Sequence, residues 1–183
     1  MDRSVEHIEL TMFRSDLQDF SAALLPPGYS VRLYVDGDRE HWAEIEMSAG
    51  EFNSIEDARV AFDHDFGPDL AEAKRRMLFL EVDGIGPVGT TTAWFGEFRG
   101  ETIGLIHWVA LKSEYHGMGL SIPLLASALS LMSEFDSSAH LHTQTTSWRA
   151  IGLYQKFGFT RVDETDDDHR GWAIVDECLS RPR

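Results

Sequence analysis

Apolar and polar residues alternate over residues 29–35, directly after the Pro26-Pro27-Gly28 break, and that period of two predicts a half-buried strand. From Asp38 the period lengthens. Trp42, Ile45 and Ala49 fall on one side at helical spacing, which predicts a helix capped by Asp38 and running to about Phe52. Ser54 predicts the cap of a second helix, with Asp57 in its first turn, and that helix stops near Phe66-Gly67-Pro68. Two strands follow at 77–82 and 88–95, joined by the turn at 83–87, and read as an antiparallel hairpin. A strand at 103–111, a strongly apolar helix at 119–135, a strand at 140–145, a helix at 148–157 and a strand from Phe159 complete the series. Periodicity leaves 172–179 open between a strand and a short helix. Asp166-Asp167-Asp168 reads as a solvated acidic loop, and Asp63-His64-Asp65 as a polar helix face. Hairpins first and a strand–helix–strand–helix unit later imply an α/β (α+β) fold, a mixed sheet with helices on both faces.

A length of 183 residues suits one domain with a full core. The sequence has no apolar run of about 18 residues and opens on a polar, charged segment, so no membrane association is expected. The single cysteine, Cys178, allows no internal disulfide, which fits a reducing cytoplasm. The net charge of −15 argues against a nucleic-acid partner. Its distribution is uneven. Residues 107–161 carry Lys112, Arg149, Lys156 and Arg161 against Glu114, Glu134 and Asp136, a net of +1, which leaves −16 elsewhere. An anionic cofactor on the central segment and a cationic substrate drawn by the rest would fit; so would acidic loops that merely keep the protein in solution.

The chemistry is densest where the strand at 103–111 enters the turn His116-Gly117-Met118-Gly119-Leu120-Ser121-Ile122 and a helix begins. Two glycines let the backbone approach a ligand closely, and the free amides of a helix start make an anion site. Alone such a turn is weak evidence. Further on stands Ser147-Trp148-Arg149-Ala150-Ile151-Gly152-Leu153-Tyr154-Gln155-Lys156-Phe157-Gly158-Phe159. In this order and at this spacing, the two segments resemble the signature motifs of the GNAT (N-acetyltransferase) superfamily, its Gln/Arg-x-x-Gly-x-Gly/Ala loop and its Asn-x-x-Ala-x-x-x-Tyr-x-x-x-Gly-Phe helix and strand. The resemblance departs from the pattern at three residues: His116 for Arg or Gln, Ser121 for the last Gly or Ala, and Ser147 for Asn.

The resemblance implies a mostly antiparallel twisted sheet with two splayed parallel strands and acetyl-CoA, the acyl-donor cosubstrate, in the gap. It implies a single GNAT-like domain over residues 29–183 and an N-terminal arm, residues 1–28, outside the common core. Amides of the 116–122 turn would hold the pyrophosphate, backbone groups of Val109 and Leu111 would bind pantetheine and polarise the thioester carbonyl, and the Ser147 hydroxyl would reach the pantetheine arm. Tyr154 matches the family's tyrosine near the thioester sulfur, as general acid or as a sulfur contact. His107 and His142 occupy columns where a base can stand, each otherwise a hydrogen-bonded histidine of the cleft wall; Glu97 and Glu101 are distant candidates. His140 and His142 share a strand face, but no carboxylate or cysteine accompanies them at ligand spacing, so no metal is expected.

These observations together predict transfer of an acetyl group from acetyl-CoA to a primary amine, a small cationic molecule or a peptide amine, in a direct ternary complex. An acyl-CoA-binding sensor or interaction module on the same fold is the alternative. A homodimer is left open.

Overall fold

The computed structural model describes Asp2, residues 4–18 and residues 24–181. In chain order these form β1 (Glu9–Arg14), β2 (Tyr29–Leu33), α1 (Asp38–Ala49), α2 (Ile55–Asp65), α3 (Leu70–Arg76), β3 (Met77–Val82), β4 (Gly86–Phe98), β5 (Glu101–Leu111), α4 (Ser121–Met132), β6 (Ala139–Gln144), α5 (Trp148–Lys156), β7 (Thr160–Arg161) and α6 (Asp166–Ser180). The strands make one seven-stranded sheet in the order β2-β3-β4-β5-β6-β1-β7. Among the described residues only β5 and β6 pair in parallel; the other neighbours are antiparallel.

Alternation within β3 shows how the two faces are filled. Leu78 joins the apolar cluster of α4, α5 and α6, while Met77 and Phe79 join Trp42, Ile45, Phe62 and Phe66 of the α1–α2 side. The predicted α/β architecture, with helices on both faces, is the observed one. Among the described residues no helix is long and apolar enough to cross a membrane.

Four expectations change. The arm expected at residues 1–28 contains β1, which lies inside the sheet between β6 and β7 and buries Leu10 and Met12; residues 19–23 of that stretch lie outside the described residues. Between α2 and β3 stands a helix the apolar pattern did not reveal, α3. Its signals are polar: the Asp69 side chain accepts from the Glu72 amide, and Lys74, Arg75 and Arg76 close the last turn against the dipole. The acidic run 166–168 is the first turn of α6, with Thr165 and Asp168 forming a reciprocal capping box, and this settles the C-terminal segment as helix. Finally, α1 ends at Ala49, short of Phe52, because Gly50 turns left-handed at φ 90° and its N–H returns to the carbonyls of Glu46 and Met47.

The parallel pairing begins at Gly104, opposite Ala139. A Cβ there would lie 2.5 Å from the Met132 Sδ and 3.0 Å from the Ser138 carbonyl oxygen. Gly104→Ala should therefore destabilise the fold by about 1–3 kcal/mol through overpacking, read as a lower midpoint in urea denaturation.

Candidate active site

The parallel pair is short. Gly104 faces Ala139 and Leu105 faces His140, and beyond them β5 and β6 have no paired residues. On its other edge β5 bulges: Ala110 faces Thr90 and His107 faces Thr92, so Trp108 and Val109 together stand against Thr91 alone. Trp108 takes φ 52°, a left-handed conformation that costs a bulky residue about 1–3 kcal/mol. Side-chain interactions hold it there. The indole Nε1–H donates to Asp65 Oδ2 at 2.7 Å, and the ring sits 5.4 Å from both Trp42 and Phe52.

The same carboxylate oxygen accepts from His107 Nε2 at 3.2 Å, and His64 bonds the other oxygen. Burial alone would raise the Asp65 carboxyl, but the hydrogen bonds from His107, His64 and Trp108 outweigh it and hold the group below the ordinary carboxylate range. Asp63 pairs with Arg39 across the surface, so the acidic run is only in part a polar helix face: Asp65 points inward and fixes the bulge.

Two adjoining cavities fill the gap. The larger, about 380 Å³, is lined by Val109, Leu111, His116, Gly117, Ser121, Ser147, Arg149 and Tyr154 among others. The smaller, about 240 Å³, is lined by Glu46, Glu51, His107, Trp108, His142, Gln144 and Tyr154 among others. Glu51, Val109, Ser147, Ala150 and Tyr154 border both, so the two meet at the Tyr154 side chain.

The glycine turn borders the larger cavity. Gly117 and Gly119 both take φ 76°, and a Cβ at either would meet nothing within 4 Å. The five successive N–H groups from Gly117 through Met118, Gly119 and Leu120 to Ser121 donate to no acceptor among the described residues. Five free amides at the start of α4 fit a pyrophosphate-bearing donor. The two ends of the expected cradle do not share this property: the His116 amide is taken by Ser113 O and the Ile122 amide by Gly119 O, each at 3.2 Å. The His116 ring folds back instead, its Nε2–H donating to Leu111 O at 2.9 Å. Ser147 precedes α5 and accepts a bond from Gln144 Nε2 at 3.1 Å. Arg149, which sequence reading counted only as charge, lines the same cavity with its guanidinium 4.0 Å from the Trp148 ring centroid.

The histidines separate by environment. His140 is buried and donates Nδ1–H to Gly104 O at 2.9 Å; burial, and then the nearby His142, lower its pKa. The His142 ring lies 5.3 Å from it, as the shared strand face predicts. Desolvation by the cleft walls, with His107, lowers the pKa of His142 too. Its ring is open to solvent, so that desolvation weighs less than at His140. Its Nδ1 is 3.2 Å from Thr11 Oγ1. His107 is the one with a carboxylate behind it. Among the described residues no group of three or more His, Cys, Asp or Glu is placed to hold a metal ion.

Tyr154 is buried, and its hydroxyl has no hydrogen-bond partner among the described residues. Burial, and then the charges of Glu51 and Glu46, push the phenol well above its ordinary range. These two glutamates went unread as site residues. Glu46 had a visible signal, since 42, 45, 46 and 49 share one helical stripe and a carboxyl therefore sits on the inward face. Glu97 and Glu101, the distant candidates, lie on the β4–β5 hairpin beyond the parallel pair and line neither cavity.

Among the described residues, the mixed sheet opens beside its one parallel pair, with a turn of free amides on one side of the opening. The sequence model of the acetyltransferase (GNAT) family matches residues 31–159, and the chain belongs to that family. Solved structures agree on the fold. A GCN5-related N-acetyltransferase from Sphaerobacter thermophilus is 20% identical at TM-score 0.66, over 86% of this chain and 49% of that one. A protein from Pyrococcus horikoshii is 21% identical at TM-score 0.64, over 75% of this chain and 92% of that one. A tandem GNAT protein from the clavulanic acid biosynthesis pathway is 15% identical at TM-score 0.59, over 84% of this chain and 50% of that one. The chain thus spans about half the length of two of these three. No curated protein matches it.

Asp65→Ala removes the anchor of the bulge, and should cost about 2–3 kcal/mol at pH 7 as charge-assisted bonds are lost. The folded pKa lies below the unfolded value of about 3.9, so this contribution is full above that value and is lost as pH falls through the folded pKa. Urea denaturation of both proteins from neutral to acid pH should show the difference shrinking in acid.

Proposed function

We propose that the protein is an N-acetyltransferase that moves the acetyl group of acetyl-CoA to a primary amine, small and cationic or peptidic, within one ternary complex. The observation that carries this reading is the run of five amides from Gly117 to Ser121 that have no acceptor among the described residues, set beside the stretch of β5 that does not pair with β6 and leading to a Tyr154 hydroxyl likewise without a partner among them.

Acetyl-CoA, when bound, supplies an activated acyl thioester. The chain's own groups do the rest. The amides from Gly117 to Ser121 hold the pyrophosphate, with the Arg149 guanidinium on the same wall. Val109 and Leu111 line the path of the pantetheine arm, with the Ser147 hydroxyl across from them. Tyr154, standing where the two cavities meet, is the hydrogen-bond donor to the departing sulfur.

An alkylammonium has a pKa of about 10 and must lose a proton before it attacks. Asp65 accepts the Nε2–H of His107, which leaves Nδ1 as the basic nitrogen and steadies the imidazolium once it forms. That support favours His107 as base; His142, on the opposite strand of the gap, is the second candidate. A sensor that only bound acyl-CoA would need the amide cradle but not the Asp65–His107 pair. Release of free thiol from acetyl-CoA, followed across a panel of primary amines, decides between them, and no release with any amine would favour the sensor.

Gly119→Asp would put a negative charge into the cradle and a side chain on a left-handed backbone. Acetyl-CoA affinity by calorimetry should fall at least about tenfold, with circular dichroism unchanged. Tyr154→Phe keeps the ring against Phe159 and removes only the hydroxyl. Turnover should fall by about 10² to 10⁴ while acetyl-CoA affinity holds, measured where chemistry limits the rate.

A further inference from the structure

Glu46 is 1% exposed, and its Oε1 has no hydrogen-bond partner among the described residues. It borders the smaller cavity together with Glu51. The end of α1 brings them to the same wall: Gly50 turns left-handed, and the Glu51 N–H bonds the Glu46 carbonyl at 3.1 Å. Burial, and then the Glu51 charge, raise the Glu46 pKa well above the ordinary carboxyl range, and burial raises that of Glu51. Facing the pair are His107 of β5, His142 of β6 and Tyr154 of α5, with Arg149 on the wall of the adjoining cavity. None of them bonds Glu46 or Glu51. A buried carboxyl left unsatisfied is costly, and an arriving cation removes the cost.

We propose that Glu46 and Glu51 form the seat of the acceptor's ammonium group, so that the acceptor is a small primary amine that enters the chamber as a cation. The inference rests on the amine-transfer reading and names the residues that select the amine. The seat works by exchange. In the empty chamber Glu46 holds a proton. When R–NH3+ arrives, Glu46–COOH becomes Glu46–COO− beside the ammonium, and one proton leaves to solvent past Glu51. Charge balances, and no bond to carbon changes. The ammonium later gives its own proton to the base.

The test is calorimetric titration of n-butylamine into the full chain loaded with CoA in its thiol form, at pH 7. Glu46→Gln and Glu51→Gln should each weaken binding at least about tenfold. Glu44→Gln, on the open side of α1, controls for general loss of negative charge and should change nothing. Repeating the titration in two buffers of different ionisation heat should show proton release in the wild type and none in Glu46→Gln. Butylamine that fails to bind, or that binds all four proteins alike, overturns the seat.

Stability supplies a readout without ligand. A carboxyl whose folded pKa is raised contributes stability at low pH and loses it above its unfolded value of about 4.3. Glu46→Gln should therefore gain on the wild type as pH rises through that value; a difference independent of pH would also overturn the exchange. If butylamine binds through Glu46 while no amine elicits thiol release, the seat stands and the transfer reading falls.

Discussion

One carboxylate oxygen, Asp65 Oδ2, holds the feature on which the site depends. It accepts from both the Trp108 indole and the His107 ring, two consecutive residues that a regular strand would send to opposite faces. Both reach one oxygen only because Trp108 is left-handed and the strand bulges there. The bulge tilts the end of β5, and the short parallel pairing with β6 ends at Leu105 and His140. A regular β5 would carry its ladder on toward Leu111 and close the gap. The aromatic packing of Trp42, Phe52 and Trp108 adds the apolar surface that offsets the backbone strain.

The elements nearest the chemistry were the most legible in the sequence. The strand ending at Leu111, the glycine turn, the apolar helix α4 and the helix carrying Tyr154 all announce themselves by local pattern, and the structure places them within a few residues of expectation. What failed did so for reasons beyond local pattern. The segment that forms β1 offers only Leu10 and Met12 as buried apolar residues, beside the buried Arg14, and its place between β6 and β7 comes from pairings more than 100 residues away in sequence. Asp65 looks like a helix-surface residue until tertiary structure brings Trp108 against it. Glu46 is the instructive case. Its position on the Trp42–Ile45–Ala49 stripe was readable, and a carboxyl on an apolar stripe is a local rule broken, which marks function more often than error.

The uneven charge of the sequence, which fits either an anionic cofactor with a cationic substrate or merely solvated acidic loops, has a more local counterpart at the proposed site. On the proposed donor side, the groups that would meet an anion are backbone amides and one guanidinium, not a basic surface. The chamber beyond Tyr154 takes its acidic groups from the buried Glu46 and from Glu51 at its exposed edge, not from the solvated runs that dominate the net charge of −15. Under the proposed function an anionic donor would lie on the amide side of Tyr154 and a cationic acceptor beside Glu46, with Glu51 on the wall of both cavities.

That arrangement also bears on what Tyr154 does. Burial and the glutamates hold its phenol far above the ordinary range of a thiol, so full transfer of its proton to a thiolate would be uphill while the chamber is empty. An ammonium seated by the proposed exchange would bring one positive charge and leave one negative charge on Glu46, so the pair adds no net charge, and burial, the first cause, keeps the phenol raised. The hydroxyl would then remain a hydrogen-bond donor whether or not the acceptor is in place. Sulfur contact and general acid then differ only in how far the proton moves along the one hydrogen bond that Tyr154 would donate to the sulfur.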